Sequence, residues 1–280
     1  MNRIYKILVL TLLVSVLFSF QIRETNTWTD SQFYTDSIFS KNLGEYRKHN
    51  IYLPKGFSNL QKYPIIYATD GSTSLEKSFY KATLDSLIDN KIIEPTIYVA
   101  SHSNNKIAYS TTNALDGEEI KIGYRNLEYV ENFTPGITGS DFSQRFNNHL
   151  NYFKDELIPQ IEKKLGQNFE KDARLFYGVS NGAGFGANLL NKFPELIGTY
   201  ICFSTLGSNV KRNEWHDDTE YPDLYLQYGS EEGMVFKKEA EDLVKKYKSS
   251  ESFVELEEYQ GGHDYKKWNE SFIKIISKLL

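Results

Sequence analysis

Ser180 is the residue in this chain best placed to act as a nucleophile. It lies in the stretch ARLFYGVSNGAGFGANLL, where a G-x-S-x-G pattern separates a strand-like apolar run from a run of small residues. A strand that turns sharply into a helix holds its turn residue in a strained conformation, and glycines beside it let the two segments pass closely. The first amides of such a helix face the point where an oxyanion would form. The context therefore predicts a catalytic serine.

A serine hydroxyl becomes an effective nucleophile when a histidine removes its proton and a carboxylate orients that histidine. On this kind of turn the acid and the histidine follow the serine along the chain. Of the five histidines, only His216 and His263 do so. His263 stands in a Gly-Gly-His-Asp turn before the C-terminal helical pattern, whereas the polar surroundings of His216 are typical of a solvated loop. We predict His263 as the base.

The acid is expected in the turn after the strand-like segment YPDLYLQYG, which carries two adjacent glutamates, Glu231 and Glu232. Either carboxylate could orient the imidazole of His263. Negative charge is also favourable at the start of the helical pattern that follows, so one of the two could serve only as a helix-terminus charge. The residues alone leave the choice open.

Strand-like and helical patterns alternate along the chain. Apolar, β-branched runs lie at 50–53, 64–68, 96–101, 173–179, 199–204, 223–228 and 253–259. Helical patterns lie at about 75–89, 143–165, 181–193, 235–248 and 265–279. This alternation predicts an α/β fold with a mostly parallel central sheet and helices on both faces. Such sheets bind ligands at the carboxyl ends of their strands, where the serine, the two glutamates and the histidine would meet.

The start of the chain has the pattern of a targeting segment. Residues 1–20 combine two basic residues with an apolar run over 7–20, which predicts a secretory signal peptide that is short for a membrane span of about 20 residues. An uncleaved N-terminal anchor is the alternative. With cleavage near residue 20, we expect residues 21–280 to form one domain without a stable membrane span, located in the periplasm or outside a bacterial cell.

Composition restricts the class of partner. The formal net charge is −5 at pH 7, and the acidic and basic residues are interspersed, which argues against nucleic acid or an anionic membrane surface as the main partner. The single cysteine, Cys202, lies in an apolar segment and is expected to be a buried hydrophobic residue. We find neither metal-ligand spacing nor a phosphate-binding or dinucleotide loop, so no metal and no other cofactor is indicated. The oligomeric state is left open.

Beyond the turn at Ser180, the chain resembles the Putative esterase family (esterase D/enterochelin esterase-like) of α/β-hydrolases. The similar segments extend over almost the whole chain after residue 20: 49–57, 63–71, 151–166, the turn around Ser180 and 261–268. The family includes siderophore esterases, feruloyl and acetyl-xylan esterases, S-formylglutathione hydrolases and mycolyltransferases. The resemblance implies an α/β-hydrolase fold and ester hydrolysis without a cofactor.

The resemblance also bears on the acid. In α/β-hydrolases the acid commonly stands three residues after the glycine that closes this strand, here Gly229, which favours Glu232 over Glu231. The acid is more often an aspartate in the family, and this chain departs from that pattern by carrying glutamate at both positions.

Two backbone amides are implied as oxyanion donors. One is the amide of Ser72, just past Asp70-Gly71, and the other is the amide of Asn181, the residue that follows the nucleophile. The chain departs from the family pattern at Ala183, where a second glycine often stands, but this change removes no required atom.

Residues 103–142 are the main irregularity of the sequence. The stretch is polar, has no convincing periodicity and follows a predicted strand, so we expect a long loop that hangs over the active site. Its aromatic side chains could line a substrate cleft: Tyr109, Tyr124, Tyr129 and Phe133.

Three residues are candidates for substrate binding: Arg125, Tyr124 and His102. Arg125 and Glu128 resemble an Arg-x-x-Glu-Tyr segment found at this place in relatives. Arg125 could contact substrate or form an ion pair inside the loop. His102 stands at a strand end and could face the cleft.

The leading hypothesis is an exported serine hydrolase that cleaves a carboxylic ester of a small molecule or a polysaccharide through Ser180, His263 and Glu232. A siderophore trilactone, a feruloylated or acetylated polysaccharide and a small acyl ester all remain open as substrates. Acyl transfer to a sugar or lipid hydroxyl is one alternative. A non-catalytic binding protein on a hydrolase scaffold is the other.

Overall fold

The computed structural model describes residues 29–73, 79–112, 117–131 and 144–280. The strands in these ranges are β1 (Gln32–Ser40), β2 (Glu45–Leu53), β3 (Ile65–Ala68), β4 (Ile97–Ser101), β5 (Ile107–Thr112), β6 (Glu119–Gly123), β7 (Arg174–Val179), β8 (Thr199–Phe203), β9 (Asp223–Gly229) and β10 (Val254–Tyr259). The helices are α1 (Lys81–Asp89), α2 (Tyr124–Tyr129), α3 (Arg145–Asn151), α4 (Ile158–Leu165), α5 (Asn181–Lys192), α6 (Met234–Ser249) and α7 (Tyr265–Leu279), with a π-helical turn at Tyr152–Leu157 between α3 and α4 and a 3-10 turn at Lys171–Ala173.

Eight strands form one sheet in the order β1-β2-β4-β3-β7-β8-β9-β10. β2 is antiparallel to both of its neighbours, and the pairs from β4 to β10 are parallel. The chain therefore leaves β3, β4, β7, β8, β9 and β10 at one edge of the sheet, called here the carboxyl edge. This sheet confirms the α/β fold that the alternating patterns predict.

Helices pack on both faces because the central strands are apolar on both sides. Along β7, successive side chains point to opposite faces. Phe176 belongs to the core that includes Phe185 of α5, and Tyr177 belongs to the core that includes Phe272 of α7. The ring centroids of Tyr177 and Phe272 are 4.6 Å apart. Residues on both sides of the sheet thus hold β7 and the turn that follows it.

The first strand was not among the predicted elements. β1 lies at the edge of the sheet, where its side chains are half-buried or exposed in alternation up to Ser40. A strand with so little fully buried surface carries no continuous apolar run, so the sequence signal begins only within β2.

The stretch 103–142, predicted to be a structureless loop, contains the antiparallel hairpin β5-β6 and the helix α2. The six residues of α2 make less than two turns, too few for helical periodicity to be visible in the sequence. Residues 113–116 and 132–143, which include Phe133, lie outside the described residues.

The predicted signal peptide, residues 1–20, also lies outside the described residues. Within the described ranges, no helix is both long enough and apolar enough to cross a membrane. Cys202 in β8 is a buried free thiol, as the sequence predicts, and burial raises its pKa.

Candidate active site

Ser180 stands on a strained turn between β7 and α5. Its backbone has φ 55° and ψ −126°, a conformation that residues with a side chain rarely adopt. The Ser180 amide donates to the carbonyl of Phe203 at the end of β8 (2.9 Å), and the Ser180 carbonyl accepts from the amide of Gly184 (3.0 Å). Neighbouring elements thus hold the backbone that carries the hydroxyl.

Glycines make this turn possible by close approach. A β-carbon at Gly178 would lie 2.7 Å from the carbonyl carbon of Gly182. One at Gly182 would lie 2.3 Å from Thr69 Oγ1 and 2.9 Å from Asp70 Oδ2. The small residues therefore let strand and helix pass, and they also place the start of α5 against the segment that follows β3.

Glu232 and His263 form a hydrogen-bonded pair at the carboxyl edge. Glu232 lies in the turn after β9 and His263 in the turn after β10. Glu232 Oε1 is 2.5 Å from His263 Nδ1, and Glu232 Oε2 accepts from the Gly229 amide at 2.8 Å. The Glu232 side chain is 1% exposed and that of His263 is 41% exposed. With Nδ1 against the carboxylate, Nε2 is the ring nitrogen left for a proton transfer.

Glu231 takes a different place. Its amide donates to the Gly261 carbonyl at 2.9 Å, and its carboxylate accepts from Gln260 Nε2 at 2.8 Å on the exposed surface. His216, the other histidine after Ser180, is exposed. Of the alternatives left by the sequence, the structure brings Glu232 and His263 together.

Trp268 and Ser204 connect the histidine turn to the serine turn. The Trp268 ring meets the His263 ring edge-on at 4.5 Å, and its Nε1 donates to Ser204 Oγ at 2.9 Å. Ser204 follows Phe203, the residue whose carbonyl holds the Ser180 amide. Trp268 was not among the predicted site residues, because a single tryptophan in an amphipathic helix is usually part of the hydrophobic core.

The segment carrying Ser72 is held against β4. The Gly71 amide donates to the Ser101 carbonyl (2.9 Å), and the Gly71 carbonyl accepts from Asn50 Nδ2 (2.6 Å). A β-carbon at Gly71 would lie 2.4 Å from the Ala100 carbonyl oxygen, so a glycine is required. Ser72 Oγ lies 2.7 Å from the hydroxyl oxygen of Ser103.

Asn181 is the first residue of α5, so its amide belongs to the helix-terminal amides that have no acceptor within the helix. Both polar atoms of the Asn181 side chain have hydrogen-bond partners. Asn181 Nδ2 lies 3.4 Å from the Leu206 carbonyl oxygen, and Arg125 Nη1 donates to Asn181 Oδ1 at 3.3 Å.

Arg125 forms an ion pair, but with a partner outside its own segment. Its Nε and Nη2 donate to the two carboxylate oxygens of Asp70 at 2.6 and 2.8 Å. Glu128, which lies in the same segment as Arg125, accepts from Arg47 and Arg145. Sequence reasoning missed the role of Asp70, although a carboxylate at the end of an apolar buried strand signals a need for a counter-charge.

The remaining candidate residues contact the framework around the site. The Tyr124 ring lies 4.8 Å from the Arg145 guanidinium, and His102 Nε2 is 2.9 Å from Asn50 Oδ1. Burial, with the positive charge of Lys48, lowers the pKa of His102. Tyr129 is fully buried, so it does not line a cleft as proposed from the sequence.

Among the residues that the structure describes, no group of three or more His, Cys, Asp or Glu side chains is arranged to hold a metal ion.

A mostly parallel sheet with a strained serine at a strand–helix turn and a carboxylate–histidine pair at the same edge defines the α/β-hydrolase class. The profile of the family described as "Putative esterase" matches residues 40–279. The chain belongs to this family and is, by that membership, a carboxylic-ester hydrolase.

Two known proteins illustrate the similarity in sequence. The chain is 23% identical over 257 residues to "Uncharacterized protein YjcH" of Bacillus subtilis (strain 168), covering 87% of this chain and 95% of that protein. It is 27% identical over 207 residues to an endo-1,4-beta-xylanase/feruloyl esterase of Xylanibacter ruminicola, covering 70% of this chain and 24% of that protein. The chain therefore spans about a quarter of the length of the second relative.

Solved structures share the fold. A ferulic acid esterase matches with a TM-score of 0.69 at 19% identity, over 90% of this chain and 98% of that chain. The enterobactin esterase FES from Shigella flexneri matches with a TM-score of 0.62 at 17% identity, over 89% of this chain and 59% of that chain.

Proposed function

We propose that this esterase works through a Ser-His-Glu triad and a covalent acyl-enzyme. The carrying observation is the hydrogen bond between Glu232 and His263 at the edge of the sheet where Ser180 sits on its strained turn. In this proposal Ser180 is the nucleophile, His263 is the general base and Glu232 holds the imidazole in one tautomer.

The proposed reaction has two halves. His263 Nε2 takes the proton of Ser180 as its oxygen attacks the ester carbonyl, and the imidazolium then gives that proton to the departing alcohol. Water then attacks the acyl carbonyl and gives a proton to Nε2, and the imidazolium returns a proton to the Ser180 oxygen as the acid leaves. The amides of Ser72 and Asn181 are proposed to bind the negative oxygen in both halves, because Asn181 follows Ser180 directly and the start of α5 lies against Asp70, two residues before Ser72.

We propose esters of hydroxycinnamic acids such as ferulate, carried by a polysaccharide, as the substrate class. Exposed apolar side chains close in sequence to the pair support this choice: Met234 is 77% exposed and Val235 48% just after Glu232, and Tyr265 is 52% exposed just after His263. Two of the similar proteins are also named as feruloyl or ferulic acid esterases. An aromatic acyl group would cover such apolar surface.

The substrate is tested by comparing kcat/KM for methyl ferulate, a catecholate trilactone and p-nitrophenyl acetate. We expect the highest value for the ferulate. A higher value for either of the other esters would reassign the substrate but not the mechanism. Adding a sugar or lipid alcohol and finding its acylated form as the main product would establish acyl transfer instead.

The triad is tested by Ser180→Ala, which removes the nucleophile from a turn that tolerates alanine. Hydrolysis of any ester that the wild type cleaves should fall on the order of 10³-fold or more, together with loss of labelling by a fluorophosphonate probe. His263→Ala should be comparably damaging, and His216→Ala is the matched control that should be nearly silent. Full activity in a folded Ser180→Ala protein would refute the proposal.

The proposal includes export, supported by the basic and apolar residues over 1–20. Expression of the full chain in a bacterial host, followed by fractionation and N-terminal sequencing, tests it. We expect an exported protein that starts near residue 21. An unprocessed chain in the cytoplasm would contradict export.

A further inference from the structure

The two proposed oxyanion donors lie on different segments of the chain. Ser72 follows β3, whereas Asn181 opens α5 after β7. A tetrahedral intermediate is stabilised by both amides only if the distance between them matches the oxyanion, and shifts of a fraction of an ångström weaken that stabilisation. Contacts between the two segments must therefore set the distance.

One guanidinium connects the two segments. Arg125 donates to both carboxylate oxygens of Asp70, at 2.6 and 2.8 Å, and its Nη1 donates to Asn181 Oδ1 at 3.3 Å. Asp70 stands two residues before Ser72, and Asn181 carries the second amide itself. A bidentate arginine–carboxylate pair fixes direction as well as distance, because the guanidinium is planar and its donors form a rigid fork.

The backbone of Asp70 has an unfavourable conformation that neighbouring contacts must hold in place. It has φ 61°, in the left-handed region that residues with a β-carbon seldom occupy. Its amide lies 3.4 Å from the Tyr129 hydroxyl, and its carbonyl accepts from the Thr73 amide at 3.2 Å. The backbone conformation that leads into the Ser72 segment is thus held from the same helix, α2, that carries Arg125.

Arg125 is itself held in place. Its guanidinium lies 4.9 Å from the Tyr129 ring centroid, and its side chain is 25% exposed. The helix is anchored by Glu128, which is fully buried and accepts from Arg47 at 2.7 and 2.9 Å and from Arg145 at 2.7 Å. Burial opposes the charge of Arg125, but the hydrogen bonds and charge of Asp70 raise its pKa.

We propose that Arg125 is a positioning residue that sets the distance between the Ser72 and Asn181 amides by bridging Asp70 and Asn181. This inference rests on the proposed triad mechanism and oxyanion donors. Because all three guanidinium nitrogens donate to Asp70 or Asn181, the part of Arg125 in the reaction is to hold these two segments and not to bind the substrate.

The test is Arg125→Gln, measured by kcat, KM and the inhibition constant of a boronic acid that forms a tetrahedral adduct with the serine. We expect kcat to fall on the order of 10²-fold, since a displaced donor is lost in the transition state. Affinity for the boronic acid should fall by a similar factor, while KM stays within about threefold of the wild type. Arg125→Lys, which keeps the charge but not the fork, should recover only part of kcat.

Arg174→Gln is the matched control. Arg174 forms the same kind of two-point pair with Glu162, at 2.6 and 3.0 Å, but at the start of β7 on the opposite edge of the sheet. Loss of this pair should affect stability to a similar degree as loss of Arg125. It should leave kcat and boronic acid affinity close to the wild-type values.

A second variant, Asp70→Asn, keeps the design falsifiable. If Arg125 acts through Asp70, the double variant Arg125→Gln/Asp70→Asn should have a kcat only slightly below that of Arg125→Gln alone. The inference is overturned if Arg125→Gln raises KM with kcat unchanged, since that result makes Arg125 a substrate ligand. It is equally overturned if kcat and boronic acid affinity stay at wild-type values or fall to the same extent in Arg174→Gln.

Failure of the underlying mechanism would look different. If the wild type is not labelled by a fluorophosphonate and does not bind the boronic acid, the triad proposal fails first. If the wild type does both and Arg125→Gln behaves as the wild type, only the positioning role is wrong.

Discussion

At the scale of single residues, both carboxylate oxygens of Glu232 have hydrogen-bond partners. One oxygen faces His263 and the other accepts the Gly229 amide, and the side chain is almost wholly buried. Both oxygens act as acceptors for N–H groups that approach from different directions. A side chain with one acceptor and one donor could satisfy only one of these two groups.

Glu232→Gln is therefore expected to lower kcat severely, on the order of 10³- to 10⁴-fold, with little change in KM, because the amide loses the charge that stabilises imidazolium and presents an N–H to a donor. Steady-state kinetics on any ester that the wild type cleaves would show this loss.

Glu231→Gln is the control, since Glu231 contacts only Gln260 and Gly261 among the hydrogen bonds described above. It should cost no more than about 0.3–1 kcal/mol in stability. A severe loss confined to Glu231→Gln would move the acid by one residue, and full activity in both variants would place the acid elsewhere.

At the scale of elements, the turn between β7 and α5 depends on how closely its neighbours approach. The start of α5 lies against Thr69 and Asp70, so the serine turn and the segment that leads to Ser72 share one contact surface at Gly182. A shift of either segment would therefore displace the other.

Gly182→Ala tests that contact, because the new methyl group would meet Thr69 Oγ1 at 2.3 Å. We expect a loss of about 1–3 kcal/mol in the free energy of unfolding, together with a fall in kcat, because the helix must move away from the Asp70 segment. Gly233→Ala is the control: Gly233 has nothing within 4 Å of the β-carbon position and φ −58°. Equal urea-denaturation midpoints for the two variants would contradict this picture.

The sequence predicted the elements whose apolar runs are continuous, such as β7 and β8, and the turns that follow them. It did not predict β1, whose partly exposed residues mix polar and apolar types, or the short helix α2. Ser180 and His263 were predicted from the local patterns of their turns, and Glu232 was preferred over Glu231 from the family resemblance. The Arg125–Asp70 pair was not predicted, because its partners are 55 positions apart and no local pattern joins them.

At the scale of the whole molecule, buried histidines couple stability to pH. His49 in β2 is fully buried, and burial lowers its pKa from the ordinary 6.5 to about 4, although Asp36 lies 3.9 Å away. Burial, with the charges of Arg47 and Arg145, also lowers the pKa of His149. In the unfolded chain both histidines take up a proton near pH 6.5. Between that pH and about 4 the unfolded state therefore binds more protons.

The free energy of unfolding should consequently fall as the pH drops from 6.5 towards 4, by about 3 kcal/mol for His49 alone. Urea denaturation at several pH values measures this slope. His49→Gln, which does not titrate, should flatten it, and the exposed His216→Gln should not. An unchanged slope in His49→Gln would show that His49 is protonated in the folded state.

Cys202, buried in β8 with a raised thiol pKa, has a practical consequence for spectroscopy. Maleimides and methanethiosulfonates react with thiolates that solvent can reach, and this side chain offers neither the charge nor the access. Because it is the chain's single cysteine, cysteines introduced at two exposed positions, such as Leu60 and Ile120, would carry a pair of fluorophores or spin labels without background from the native thiol. The distance between the two labels could then be followed in solution while an ester is bound and turned over.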